Sequence, residues 1–240
     1  MIELENVVKR FGDLTAVDGL SLTVPPGELF VFLGPNGAGK TTTIKLIAGL
    51  LRPTSGRVCL CGYDVERDYV QARSLLSYVP DQPFLYDKLT GREFLWFVAR
   101  MYSMEARATE HKIAELAELF ELGGFLDELG QTYSHGMKQR VVVSAALLHG
   151  PRVLVIDEPM VGLDPRGANT LKNLLRRLAA DGVAVFMSTH TLGVAEETAD
   201  RVGIIRQGSL IALGTLDEIY ATARTDRRLE EAFLRLTEES

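Results

Sequence analysis

Apolar positions along the chain fall into two rhythms. Short, almost unbroken runs occur at Glu28–Leu33, Val153–Ile156 and Val183–Met187. Runs of that length fit strands buried on both faces of a parallel sheet. Elsewhere the apolar residues recur at helical spacing: Ile44, Ile47, Ala48 and Leu51, then Leu171, Leu174, Leu175 and Leu178. The segments "IELENVVKRF" and "AVDGLSLTV" predict an antiparallel start, with a further strand around Val58–Leu60. A mostly helical stretch lies between the runs. Phe94, Phe97, Val98 and Met101 mark the core face of one helix there, and Ile113, Leu116, Leu119 and Phe120 that of the next. Strands alternating with helices predict an α/β fold.

Composition narrows the setting. The 240 residues suffice for one large α/β domain or two small ones, and 46% are hydrophobic, so a sizeable core can form. No apolar run has the length of a membrane span, and the first residues show no basic region followed by an apolar stretch. The expectation is a soluble, cytosolic chain that needs another protein to hold it at a membrane. A net charge of −6 counts against a nucleic-acid partner. Cys59 and Cys61 are expected on one face of a strand. The pair lacks the second ligand pair that zinc would need, so no chemistry is assigned to it.

The candidate chemistry begins between the first run and the helix after it. Gly34, Pro35, Asn36, Gly37, Ala38, Gly39, Lys40 and Thr41 match G-x-x-x-x-G-K-[ST], with Thr42 following. Such a loop turns backbone N–H groups inward, and the next helix adds the positive end of its dipole. Lys40 can reach the outer phosphates of a nucleotide, and the Thr41 hydroxyl can ligate Mg²⁺. Asp157 and Glu158 close the second run, at the strand end where open α/β sheets bind ligands. One carboxylate can hold Mg²⁺, the role given to Asp157, while Glu158 activates a water for attack on the γ-phosphate. His190 follows the third run at the same sheet edge. No N-K-x-D or T-K-x-D stretch for reading guanine is present.

In this order the motifs resemble the nucleotide-binding subunit of ATP-binding cassette (ABC) transporters, nearly end to end. "GPNGAGKT" is similar to the family's phosphate loop, "VLVIDEP" to its Mg²⁺-and-base strand, and "GLDP" to the loop that follows. The resemblance implies further roles. His190 corresponds to the switch histidine, and Gln82 to the glutamine that senses Mg²⁺ and the attacking water. Phe11 falls where an aromatic ring stacks on adenine. "YSHGMKQR" sits where the family carries leucine-serine-glycine-glycine-glutamine. Ser134 and Gly136 match that signature, whereas His135 and Met137 depart from it. There the family's helix start binds, in trans, the γ-phosphate held by the opposite subunit.

The resemblance also implies an organisation. Residues 1–82 and 150–213 would form a P-loop NTPase (RecA-like) core with an antiparallel β subdomain. Residues 83–149 would be an inserted helical subdomain ending in the signature helix, and 214–240 a tail with Leu229, Phe233 and Leu236 on one helical face. Leu95 and Trp96 fall off the expected core face of their helix. With Phe84, Leu85 and Tyr86 they suggest the groove that receives a short helix of the membrane permease. ATP and Mg²⁺ are the implied cofactors. The implied partners are an integral membrane permease and a second cassette, as homodimer or heterodimer, at the inner face of the cell membrane. The tail favours the exporter group with a separate permease. The alternatives are a soluble ABC ATPase acting on ribosomes or nucleic acid, and a nucleotide-gated module with little hydrolysis.

Overall fold

In the computed structural model, which describes residues 1–225 and 228–238, alternation along one central strand divides the core. That strand, β3 (Leu29–Leu33), turns Phe30 and Phe32 to one side and Leu29, Val31 and Leu33 to the other. Phe186 packs against the first pair, with ring centroids 5.4 Å from Phe30 and 5.3 Å from Phe32. Both faces are therefore buried, which is why the run is apolar without interruption.

Strands β6 (Leu76–Val79), β7 (Val153–Asp157), β8 (Ala184–Thr189), β9 (Arg201–Arg206) and β10 (Ser209–Gly214) complete this sheet. Its order is β10-β9-β3-β8-β7-β6, parallel except for the β9–β10 hairpin. A second, antiparallel sheet contains β1 (Ile2–Phe11), β2 (Leu14–Val24), β4 (Ser55–Leu60) and β5 (Tyr63–Asp64), in the order β2-β1-β4-β5. Its apolar side closes over the phenylalanine face together with helix α1 (Lys40–Ile47).

The cysteines do not share a strand face. β4 ends at Leu60, and Cys61 (φ 50°) and Gly62 (φ 87°) form a two-residue turn into β5. Two left-handed residues suit the twist of a tight hairpin, and that turn takes Cys61 out of the strand's alternation.

The helical insert contains α3 (Gly91–Met101), α4 (Ala106–Leu119) and α5 (His135–Leu147). In α3 the buried face differs from the expected one. Phe94, Leu95 and Ala99 are buried, while Phe97 is 42% and Met101 69% exposed. The helix is apolar on more than one side, so spacing alone does not select the face that meets α4 and α5. As a result Phe84, Tyr86, Phe97 and Met101 are left on the surface, with Tyr86 edge-on to Phe84 and Phe97 at 5.4 and 5.7 Å.

Short helices α2 (Tyr69–Ser74) and α7 (Leu192–Thr198) precede β6 and follow β8. Helix α6 (Pro165–Ala180) buries Leu171, Leu174 and Leu175 against the sheet, as its spacing predicts. In the tail, α8 (Leu216–Ala223) and α9 (Leu229–Glu238) dock on the core through Ile219, Leu229 and Ala232, with Phe233 and Leu236 partly buried beside them. Residues 226, 227, 239 and 240 of the expected tail lie outside the described residues.

Candidate active site

Parallel strands end on one edge of their sheet, and the candidate residues collect there. β3 leads into the phosphate loop, β6 into Asp81, β7 into Asp157 and Glu158, and β8 into His190. The phosphate loop, Asp81, Asp157 and Glu158 border, with Phe11, a cleft of about 490 Å³; His190 stands behind Glu158 and does not line it.

The loop's shape follows from Gly39, the residue before α1, whose φ is 110°. A Cβ there would lie 2.5 Å from the Ala16 carbonyl oxygen of β2, so only glycine allows that approach. Lys40 folds back over the loop, its amine donating to the carbonyls of Gly34 (2.6 Å) and Pro35 (3.1 Å). It also stands 3.8 Å from Glu158 Oε1. Burial lowers the Lys40 pKa, and the charges of Glu158 and Asp157 oppose that shift. The first turn of α1 holds no acidic residue, so its dipole is not neutralised locally.

Asp157 is buried. Its Oδ2 accepts from the Thr41 hydroxyl at 2.9 Å, and its Oδ1 accepts from the Ser188 hydroxyl. Burial raises its pKa, those two hydrogen bonds oppose the rise, and Asp81 and Glu158 add to it. Glu158 does not extend the strand. Its backbone adopts φ 47°, a conformation that side-chain-bearing residues seldom take, and its N–H donates to the Ser188 carbonyl. The carboxylate thereby meets His190: Nδ1 lies 2.8 Å from Oε1, and the His190 N–H donates to Oε2 at 3.4 Å.

Not every candidate arrives. Phe11, Asn36, Gly37, Gly39, Lys40, Thr41, Thr42, Asp157 and Glu158 line the cleft. Phe11 is 47% exposed beneath the Lys9 amine, which excludes a core role for its ring. Gly34, Pro35 and Ala38 contribute backbone, and the Ala38 carbonyl accepts from Gly208 N–H at 2.9 Å. Gln82 is exposed and does not line the cleft, whereas its neighbour Asp81 does. Burial pushes the pKa of half-buried Tyr78 up to about 12, and the negative charges of Asp157 and Asp81 add to the rise.

Ser134 and Gly136 border a different cavity. Ser134 caps α5 by accepting from Met137 N–H at 3.3 Å. The hydroxyl of buried Tyr133 accepts from Gly91 N–H (3.0 Å) and donates to the Phe125 carbonyl (2.8 Å), tying α5 to α3. The His135 ring lies against Gly162, where a Cβ would come within 2.2 Å of its Cδ2.

Asp81, Ser188, Gln207 and Gly208 also belong to the site, although no motif in the sequence singles them out. Gln207 (φ 48°) and Gly208 (φ 83°) form the tip of the β9–β10 hairpin and line the cleft beside the phosphate loop. Q-G between two alternating runs is a hairpin signal. Nothing local to it specifies where the tip lands.

The sequence pattern of the ABC transporter family matches residues 17–161. The chain belongs to that family. This cassette is 37% identical over 241 residues to a linearmycin resistance ATP-binding protein of Bacillus subtilis, covering 98% of this chain and 78% of that one. Its fold is similar to that of an ATP-binding subunit of an ABC transporter, with TM-score 0.94, 32% identity and 99% of both chains covered. It is also similar to a dimeric ATP-binding cassette in a post-hydrolysis state bound to ADP and Pi. That comparison gives TM-score 0.83 and 26% identity over 90% of this chain and 99% of the other. The cassette is an ATPase whose fold is the P-loop α/β fold of that family. Among the described residues no helix is long and apolar enough to cross a membrane.

Proposed function

We propose that this cassette binds ATP with Mg²⁺ in the cleft between Phe11 and Glu158, dimerises on it, and drives export through a separate membrane permease. One observation carries the reading: Lys40, Thr41, Asp157, Glu158 and His190 converge at a single sheet edge. Lys40 neutralises the outer phosphates. Glu158 orients and deprotonates the attacking water, and His190 holds the Glu158 carboxylate in place. Phe11 offers an exposed ring face to the base.

The donor set suits Mg²⁺. Thr41 and Asp157 present hard oxygens 2.9 Å apart, and Asp81 adds a third oxygen-bearing group to the lining. Among the described residues no group of three or more His, Cys, Asp or Glu side chains could hold a metal ion. Mg²⁺ commonly uses one or two protein groups and completes its shell with phosphates and water. Asp81 is the better placed of the two candidates at the β6 end, and takes here the role that the resemblance gives to Gln82.

Ser134 and Gly136 lie outside the cleft of their own chain, which suits contact in trans with a nucleotide on a second cassette, identical or related. The exposed Phe84, Tyr86, Phe97 and Met101 form the permease-docking surface, placing the chain at the inner membrane face. The resistance function named for the Bacillus subtilis relative favours export. The net charge of −6 disfavours the soluble, nucleic-acid-directed alternative.

Copurification of the tagged chain from gently solubilised native membranes tests this. A multi-span protein recovered in stoichiometric amount is the expected result. Recovery of ribosomal or nucleic-acid components without a membrane protein would overturn it.

A further inference from the structure

The tip of the β9–β10 hairpin is fixed from two sides. Gly208 N–H donates to the Ala38 carbonyl of the phosphate loop, and the Gly208 carbonyl accepts from Asp18 N–H of β2, both at 2.9 Å. A Cβ on Gly208 would meet the Ala16 carbonyl oxygen at 3.0 Å, and the residue has φ 83°, so glycine is what lets the tip seat this closely. Gln207, the residue before it, is thereby held at the cleft by bonds that do not use its side chain.

The fold leaves that side chain without a task. Gln207 adopts φ 48°, where glycine or asparagine would form the same turn with less strain. It is exposed, it lines the cleft, and among the described residues its amide has no hydrogen-bond partner. The turn and the packing therefore gain nothing from an amide at this position.

The surrounding lining indicates what an amide could meet. Phe11 and Leu14 face each other across the end of the β1–β2 hairpin, 47% and 66% exposed, and give the cleft an apolar part. Lys40, Asp157 and Glu158 give it a charged part. Gln207 adjoins the apolar part through the contact of Gly208 with Ala16. A base stacked on Phe11 shields its faces but still presents polar atoms at its rim. Adenine carries there an amino donor next to a ring-nitrogen acceptor, the complement of a glutamine amide. We infer that Gln207 is a specificity-determining residue for the base. Its amide oxygen accepts from the 6-amino group of adenine, and its amide N–H donates to the adjacent ring nitrogen. This rests on the reading of Phe11 as the stacking partner.

ADP and purine riboside 5′-diphosphate, which lacks only the 6-amino group, are the probes. Diphosphates keep hydrolysis and ATP-driven dimerisation out of the measurement. Each is titrated with Mg²⁺ into the full chain by calorimetry. ADP is expected to bind about fivefold more tightly, the worth of one neutral hydrogen bond. Gln207→Met, of similar size, should bring the two affinities together. Gln207→Glu should keep the preference, because a carboxylate still accepts, while weakening both ligands by repelling their phosphates. Phe11→Ala should weaken both ligands alike.

Equal affinities in the unmodified chain, or a preference that survives Gln207→Met, would overturn the role of Gln207. Loss of the preference in Gln207→Glu would overturn the assignment of its oxygen as the acceptor. A preference for ADP over 2′-deoxy-ADP that Gln207→Met abolishes would move the contact from the base to the ribose and overturn the inference. Unaltered binding of both probes to Phe11→Ala would instead overturn the stacking on which the inference rests.

Discussion

His190 Nδ1 lies 2.8 Å from Oε1 of Glu158, the same oxygen that stands 3.8 Å from the Lys40 amine. One carboxylate is thus held between a histidine and the phosphate-loop lysine, oriented from both sides in advance of nucleotide chemistry. That arrangement makes Glu158 the group whose loss should separate binding from hydrolysis.

Glu158→Gln keeps the shape of the side chain and removes its basicity. Turnover should fall by about 10²- to 10⁴-fold, with nucleotide affinity retained. An ATP-bound dimer should accumulate. Phosphate release, followed by gel filtration in ATP, reads both effects. Turnover at the unmodified rate would end the assignment of Glu158 as base.

Asp81 and Gln82 are adjacent in sequence but differ in access to the cleft. Asp81→Ala should raise the Mg²⁺ concentration needed for half-maximal nucleotide binding by about tenfold. Gln82→Ala should leave it unchanged. Nucleotide binding measured across a Mg²⁺ series discriminates them, and the reverse ranking would restore Gln82.

Gly162 has φ 79°, and a Cβ there would lie 2.2 Å from His135 Cδ2. Gly162→Ala should cost about 1–3 kcal/mol of stability through backbone strain and this clash. Adding His135→Gly should relieve the clash and leave only the backbone part of the cost. Urea denaturation of the two single variants and the double variant measures the coupling. Strict additivity would show that the two residues do not bear on each other.

His149 stacks on Tyr102, with ring centroids 3.7 Å apart and an interplanar angle of 8°. Burial lowers its pKa, and the nearby Leu76 backbone partly opposes this. On acidification the unfolded chain therefore takes up its proton first. Stability should fall as pH drops below about 6.5 and level off below the folded-state pKa. His149→Phe keeps the stack and removes this contribution. Urea melts above and below that pH compare the two slopes, and equal slopes would show that His149 does not titrate on unfolding.

Segments built from consecutive residues are legible in the sequence by itself. The ring from Gly34 to Thr42 is one of them, so its glycines, Lys40 and Thr41 are recognisable by spacing. Asp157 and Glu158 follow a run whose unbroken apolarity marks a strand covered on both faces. The helix after Ser134 and the Leu171–Leu175 face of α6 are similarly local, because capping and helical periodicity act over a few residues.

Tertiary packing decided the rest. Asp81 and Gln82 are one residue apart, and only the path of the chain leaving β6 determines which of them enters the cleft. Apolar residues surround much of α3, so its contacts with α4 and α5 bury Leu95 and expose Phe97. Gln207 and Gly208 announce a hairpin, but β9 pairing beside β3 carries its tip to the phosphate loop. Periodicity reports how a segment satisfies its own backbone and separates its own faces. Which of two apolar faces is buried, and which of two neighbouring polar residues meets the ligand, depends on contacts between residues far apart in the chain, and no local pattern encodes them.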